Sequence, residues 1–496
     1  MVVLKWNGKK KRNDILLAKQ ETNLFHITDI YPPFGIDFKL EEKWQNLLIW
    51  GENKLVLKSL LKEFRKKISL IYIDPPFATG GDFNLKIQIG EGGKTLDNIA
   101  YKDKWSEGLD SYLDFLYERI LLMKELLASN GSIYVHLDWH NSHYIKLIMD
   151  EIFGNENFRN EIVWAYPAAS VKTRRFFIRS YDTILFYSNS DDYIFNDDPN
   201  IYMEYSNRVK NALKKDEYGV FYYRGGSHNG KKLSRKVYVE QDGIFPRDVW
   251  NDIPYIRANT SEYQGFSTQK PERLIRRIIL ASTNESDIIA DFFCGSGTTL
   301  AVAEKLGRRW IGCDSNKHAI HMIKKRILSL SESNDILNWK KKYQREPRSF
   351  KILAIEKKKE MDSIPIIFLR QAIDKEKRLE IKETPNFNVK IHQNGNEIEI
   401  ELLNYEIPFT NLILDKVKES VKSFSDWIDY WAIDFEYKNN VFKNIWTSYR
   451  TPKSRIISLK SDSYHYNEPG NYRVVVKTID IFGIEITKNF EINIIL

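Results

Sequence analysis

Two short stretches of this 496-residue chain carry residue types arranged for chemistry. The first is Asp74-Pro75-Pro76-Phe77, set directly after the apolar run 70–73. Two prolines remove backbone N–H donors and fix φ, so the turn is rigid and its carbonyls stay available. A carboxylate beside a free carbonyl is a pure acceptor site, suited to a substrate NH2 group with two hydrogens to donate. The ring of Phe77 can stack on a planar base. Tyr31-Pro32-Pro33-Phe34 repeats the double proline without an acid or a preceding strand and is assigned no chemistry. The second stretch is Asp291-Phe292-Phe293-Cys294-Gly295-Ser296-Gly297-Thr298-Thr299, between an apolar run and a helix, with Asp314 ending the next apolar run. Glycines let backbone approach a ligand closely, and a helix N-terminus offers free N–H donors. An acid ending the second strand can bind a ribose diol. No lysine follows the glycines, which disfavours a triphosphate P-loop. A nicotinamide dinucleotide fold stays open from this loop alone, but it leaves Asp74-Pro75-Pro76-Phe77 unexplained.

These stretches need elements to hold them. A strand at 47–50 leads into Gly51-Glu52-Asn53 and a short helix, and the strand 70–73 runs straight into Asp74. After a Gly-rich polar loop over 79–104, Leu109, Tyr112, Leu113, Leu116, Ile120, Met123 and Leu127 mark one face of a long amphipathic helix. Asn130-Gly131 reads as its end and 133–137 as another buried strand. Pro271 suits the first position of a helix to Ala281. Strands at 288–293 and 310–313 flank a helix that stops at Gly307. This alternation predicts an α/β fold, a mainly parallel sheet with helices on both faces. Residues 165–265 lack helical periodicity but hold 19 aromatics, denser than the 13% of the whole chain, beside Arg174-Arg175, Arg179 and the basic run 231–236. They read as an inserted module. The polar, Lys-rich stretch 331–360 reads as a linker or connecting helix. Beyond it, 388–391 and 398–402 flank Gln393-Asn394-Gly395-Asn396 as a β-hairpin. With paired strands at 472–479 and 484–495, they predict a β-sandwich-like C-terminal unit.

Composition narrows the partners. The 75 Lys+Arg and 67 Asp+Glu give a net charge of +8. Residues 361–496 hold 18 basic and 20 acidic groups, net −2, leaving 57 and 47, net +10, in 1–360. A polyanion partner therefore belongs to the first part, although charge alone only permits one. A hydrophobic content of 42% excludes wholesale disorder. Two cysteines make no disulfide framework or four-Cys zinc site and fit a reducing compartment. Lys9-Lys10-Lys11-Arg12 leaves no room for a signal-peptide core, and no run of about 18 apolar residues predicts a membrane span. The expected location is the cytoplasm.

Asp74-Pro75-Pro76-Phe77, the 291–299 loop and Gln269-Lys270-Pro271 together resemble the S-adenosylmethionine-dependent amino-group DNA methyltransferases. The order, acidic tetrapeptide first and glycine loop later, is similar to their β class and to modification subunits of type III restriction systems. The resemblance covers about residues 46–315. It implies a Rossmann-like methyltransferase sheet with an inserted recognition region, divided as extension 1–45, catalytic half 46–164, recognition region 165–265, cofactor half 266–330, linker 331–360 and β-rich unit 361–496. It also implies methyl transfer from S-adenosylmethionine to an exocyclic amine of double-stranded DNA. Aspartate at the first motif position favours N6 of adenine, where serine is common among cytosine-N4 enzymes. The family tetrapeptide is more often Asp-Pro-Pro-Tyr, and Phe77 keeps the stacking face without the phenolic OH.

By that resemblance, the Asp74 carboxylate and Pro75 carbonyl take the two amine hydrogens, while Pro76 and Phe77 complete the catalytic turn around a flipped base. Asn53 lies near the cofactor's adenine and Lys270 near its methionine end. Asp291, Phe293, Gly295, Ser296, Gly297, Thr298 and Asp314 form the rest of the cofactor site. Trp164, Tyr166, Arg174 and Arg175 are expected at the substrate, with core packing as the competing role for Trp164. A homodimer or a separate restriction subunit stays open. So does a non-catalytic nucleic-acid-binding regulator, which the intact tetrapeptide argues against.

Three patterns are decoys. His136, Asp138, His140 and His143 lack a zinc-like spacing, so no metal is expected. Cys294 and Cys313 sit on neighbouring strands as ordinary packing. Asp426 with Glu436-x-Lys438 matches the loose spacing of metal-dependent nucleases, and coincidence is the preferred explanation.

Overall fold

The strand Ile68–Ile73 has no charged residue and every position buried. Alternation sorts its side chains: Leu70 and Tyr72 join one hydrophobic core, Ile71 and Ile73 the other. A strand covered on both faces belongs in the middle of an α/β sheet. The computed structural model describes residues 3–17, 25–32, 44–105, 108–167, 175–228, 231–239, 243–355 and 383–495. Arg174 and Pro33-Phe34 lie outside them.

Eleven strands form one mixed sheet in the order Val249–Trp250, Phe158–Ala165, Tyr181–Ser188, Leu127–Leu137, Ile68–Ile73, Ile288–Asp291, Arg309–Asp314, Asn46–Trp50, Phe350–Ile355, Phe25–Tyr31, Phe442–Lys443. The six strands from Leu127–Leu137 to Phe350–Ile355 run parallel throughout. Helices Asn53–Phe64, Leu109–Leu126 and Ser142–Phe153 cover one face, and Glu272–Ser282, Thr298–Lys305 and Lys317–Leu328 the other. The C-terminal ends of Ile68–Ile73 and Ile288–Asp291 are neighbours in this sheet. Both chemical stretches therefore emerge at one edge, where open α/β sheets bind ligands.

Several elements differ from the sequence expectation. The long helix ends at Leu126, and Asn130-Gly131 lies inside the strand Leu127–Leu137. A Cβ on Gly131 would stand 2.9 Å from the Ile68 carbonyl oxygen, so the glycine permits close strand pairing rather than marking a helix stop. Within the expected polar loop 79–104, Asp82–Ile89 and Lys94–Lys102 form an antiparallel hairpin. Ile89 and Leu96 bury into the C-terminal core, while Leu85 packs on Phe266. Part of the expected linker, Phe350–Ile355, is a sheet strand, paired parallel to Asn46–Trp50. Within 165–265, Tyr181–Ser188 and Val249–Trp250 belong to the central sheet; Lys214–Asp216, Gly219–His228 and Lys231–Tyr238 form a separate three-stranded sheet.

The C-terminal residues build a three-stranded sheet from Asn386–Asn394, Glu397–Glu406 and Tyr464–His465. A four-stranded sheet contains Trp446–Tyr449, Ile428–Asp434, Gly470–Asp480 and Glu485–Ile494. Ile398, Ile400, Trp431, Ile433, Val474 and Val476 meet in one core between the two sheets. Among the described residues, no helix is long and apolar enough to cross a membrane.

Candidate active site

An open cavity of about 1050 Å³, its mouth included, lies where the two strands end. Asp74, Pro76, Lys270, Asp291, Phe293, Gly295, Ser296, Thr298, Asp314 and Asn53 line it. Pro75, Phe77 and Gly297 adjoin lining residues in sequence without lining the cavity themselves.

Asp74 presents its two carboxylate oxygens differently. Oδ2 accepts from Lys270 Nζ at 2.7 Å. Oδ1 is buried without a hydrogen-bond partner, an arrangement that costs free energy unless a donor arrives. This is the acceptor the tetrapeptide's composition foreshadows. Lys270 also lies 5.3 Å from the Phe77 ring centroid, and that ring stacks at 6.2 Å and 20° on His136.

The turn after Phe77 is held from outside the motif. Ala78 has a φ of 57°, uncommon for a residue with a Cβ. Fully buried Asp103 accepts from the backbone N–H groups of Ala78 (2.8 Å) and Thr79 (2.7 Å), the Thr79 hydroxyl (2.9 Å) and Trp105 Nε1 (3.2 Å). Asn141 Nδ2 donates to the Phe77 carbonyl at 2.8 Å. Asp103→Asn replaces one of those acceptor atoms with a donor facing an N–H. We expect kcat to fall about tenfold, with donor affinity nearly unchanged, because a displaced turn misaligns the reacting atoms. Steady-state kinetics with calorimetric donor titration reads this split.

Beneath Phe77 runs a buried polar chain that sequence reasoning missed. Asp182 Oδ2 lies 3.0 Å from His136 Nε2, whose N–H donates to it; His136 Nδ1 then accepts from the Tyr72 hydroxyl at 2.9 Å. The Tyr166 hydroxyl donates to Asp182 Oδ1 at 2.9 Å. Burial raises the Asp182 carboxyl, but His136, Lys270 and Tyr166 outweigh it and hold the group below its ordinary value. Tyr166 is thereby tied to Asp182. Trp164 is core, its Nε1 donating to the Ile253 carbonyl at 2.8 Å and its ring meeting His136 edge-on. Arg175 is exposed on the approach to Tyr181–Ser188.

The glycine loop is shaped by its surroundings. Gly295 and Gly297 have φ of 50° and 73°, and a Cβ on Gly297 would fall 2.9 Å from Ile323 Cγ1. Buried Arg326 grips the loop through the Ser296 carbonyl (2.9 Å) and Thr298 Oγ1 (3.0 Å), while Glu272 holds Arg326 and Lys305 at 2.8 and 2.7 Å. Asp291 braces the loop by accepting from Thr299 Oγ1 (2.6 Å) and Phe293 N (2.9 Å). Asp314 accepts from Gly295 N (2.9 Å) and Asn316 N (2.8 Å). Asn53 donates to the Phe292 carbonyl (3.1 Å) and accepts from Arg119 Nε (2.5 Å), so its amide ties a helix to the loop at both ends.

Burial pushes the Asp291 carboxyl up to about 7, against the hydrogen bonds from Thr299 and Phe293 N and with the charges of Asp74 and Asp314 adding to it. Burial likewise raises Asp314 to about 6, with the N–H groups of Asn316, Gly295 and Ser315 pulling the other way. Both groups start from an ordinary value of 3.8. Above pH 3.8 the unfolded chain releases protons that the folded chain keeps, up to about 7 at Asp291. The contribution of these two carboxyls to stability therefore falls as pH rises through that window and levels off above it. Asp291→Asn should flatten this slope by on the order of a few kcal/mol at most. Urea midpoints across the window measure the change.

The decoys have structural partners. Asp138 Oδ2 meets His140 Nδ1 at 2.5 Å. Asp426 accepts from the backbone N–H groups of Lys422 and Ser423, and Glu436 accepts from the Tyr464 hydroxyl. Cys294 and Cys313 are both buried. Among the described residues, no three His, Cys, Asp or Glu side chains converge to hold a metal ion.

Residues 68–325, spanning both chemical stretches and the sheet between them, match the DNA methylase family described as N6_N4_Mtase. The chain belongs to the DNA methylase family. The type II methyltransferase M.EcaI of Enterobacter cloacae is 31% identical to it over 371 residues, 66% of this chain and 77% of the relative. The DNA adenine methyltransferase YhdJ of Escherichia coli (strain K12) is 32% identical over 56% of the methylase and 82% of its own length. The probable type III restriction-modification enzyme HindVI Mod subunit of Haemophilus influenzae is 27% identical, over 57% and 51%. Several residues that brace the methylase's site lie far from its motifs in sequence. Asp103, Asp182 and Arg326 carry no local pattern that singles them out, His136 stands out only within a discounted metal-like cluster, and the fold brings all four in.

Proposed function

We propose that the methylase transfers a methyl group from S-adenosylmethionine to N6 of an adenine flipped out of double-stranded DNA. The observation that carries this reading is the unpartnered, buried Oδ1 of Asp74, beside a rigid Pro-Pro turn and across one cavity from the glycine loop. An amine N–H satisfies that oxygen, and the Pro75 carbonyl takes the second hydrogen. The nitrogen's lone pair, otherwise conjugated into the ring, becomes available for attack. The extra proton on nitrogen then passes to Asp74 Oδ1. Phe77, backed by His136, stacks on the extruded base, and such stacking contributes roughly 1–3 kcal/mol.

The cavity fits the cofactor. Gly295 brings bare backbone to its wall, Asp314 offers a carboxylate to a ribose diol, and Lys270 offers an ammonium to a carboxylate. When bound, S-adenosylmethionine supplies an electrophilic sulfonium methyl. Lys270 then serves two groups, since it also holds Asp74.

The relatives named for adenine and for restriction–modification favour the same substrate and a restriction–modification setting. A separate restriction subunit is the partner that setting implies, and native mass spectrometry of the tagged protein distinguishes it from a homodimer. Sequencing DNA modified in vitro tests the central assignment. N6-methyladenine at one recurring sequence supports it; N4-methylcytosine, or no modification, contradicts it.

A further inference from the structure

Phe177 is 97% exposed, more than any other large apolar side chain among the described residues. Its neighbours Phe176 and Ile178 are 57% and 42% exposed, and Trp139 is 38% exposed. Isolated exposed apolar residues are ordinary, but contiguous ones mark an interaction surface. The group is also built rather than loose. The Arg179 guanidinium lies 3.6 Å from the Trp139 ring centroid and 5.2 Å from that of Phe176. Trp139 in turn lies 3.8 Å from the His140 ring.

Two attachments fix this patch to the candidate active site. Trp139 follows the strand Leu127–Leu137, which pairs with Ile68–Ile73, and Asn141 just beyond it binds the Phe77 carbonyl. On the other side, the Ser180 carbonyl accepts from Tyr166 N at 2.9 Å. Tyr166 and His136 then meet on Asp182 beneath Phe77. The exposed rings are therefore carried by the same framework that carries the catalytic turn.

We propose that Phe177, beside the Arg179–Trp139 and Arg179–Phe176 contacts, is a wedge that enters the base stack of duplex DNA at the target step and fills the space the flipped adenine leaves. The proposal rests on the methylase reading above. Charge selects the occupant: Arg175 and Arg179 flank the wedge with cations suited to phosphates, in the part of the chain that carries the basic surplus. Apolar side chains inserted between base steps partly replace the stacking that extrusion removes. The wedge stabilises the extruded state, whereas Phe77 grips the base once it is out.

The test uses duplexes carrying the sequence found by the methylation experiment, either fully paired or with an abasic site opposite the target adenine. On the paired duplex, Phe177→Ala should slow methylation about tenfold or more, and 2-aminopurine at the target position should lose most of its fluorescence gain. The abasic duplex, whose target is already unpaired, should restore the variant to within about twofold of the wild type. Phe177→Trp should behave like the wild type on both. Unchanged activity on the paired duplex overturns the proposal, and so does an equal loss on both, which a general docking, self-association or folding role produces. Wild-type protein that methylates neither duplex contradicts the methylase reading itself, a result distinct from failure of the wedge.

Discussion

Asp74→Ala is expected to reduce methyl transfer by about a thousandfold or more while the protein stays folded and still binds S-adenosylmethionine. Asp74 is the only side chain of the tetrapeptide with an acceptor; it lines the cavity, and its Oδ1 is buried without a partner. The variant removes the group that orients the amine, so the loss falls on kcat. It also releases Lys270, whose ammonium is bound to Asp74. A lysine freed from that pair should meet a carboxylate ligand at least as well, so donor affinity should stay level or rise. Turnover close to wild type would contradict the assignment of Asp74.

Glu272→Ala carries the largest expected effect on stability. Glu272 is 3% exposed and bridges Lys305 and Arg326, both also buried. Burial raises its carboxyl, but those two cations outweigh burial and keep it below the ordinary range. Removing the acid leaves two buried cations facing each other, which costs about 3–5 kcal/mol. The consequence reaches the site, because Arg326 is the group that grips Ser296 and Thr298. Denaturant unfolding should show the stability loss, and donor titration a weaker complex. Glu272→Gln, which keeps two hydrogen-bonding atoms without the charge, should fall between the two.

The parallel core of the fold is legible because its signals are local. The apolar run ending at Asp74 and the helix face from Leu109 to Met123 each state their own geometry. The glycine loop does too, since Gly295 and Gly297 take the positive φ that only glycine adopts freely. What stays hidden depends on distant partners. Residues 82–102 look polar and loop-like because Ile87, Ile89 and Leu96 find their cover in the C-terminal core, far along the chain. The strand Phe350–Ile355 sits in a Lys-rich stretch, and pairing with Asn46–Trp50 on one side and Phe25–Tyr31 on the other gives it a place. Asp103 and His136 are common residue types in unremarkable contexts, and their positions against Phe77 and Thr79 arise from the sheet. Asn53 shows the converse: its sequence position predicts a ligand contact, yet both ends of its amide are engaged by Phe292 and Arg119.

The central claim is tested most directly by giving the protein double-stranded DNA and S-adenosylmethionine carrying a deuterated methyl group, then digesting the DNA to nucleosides for mass spectrometry. The account predicts the intact deuterated methyl group on N6 of deoxyadenosine with the wild type, and its absence with Asp74→Ala. Label on N4 of deoxycytidine or on a ring carbon, or undiminished N6 label in the Asp74 variant, would contradict it.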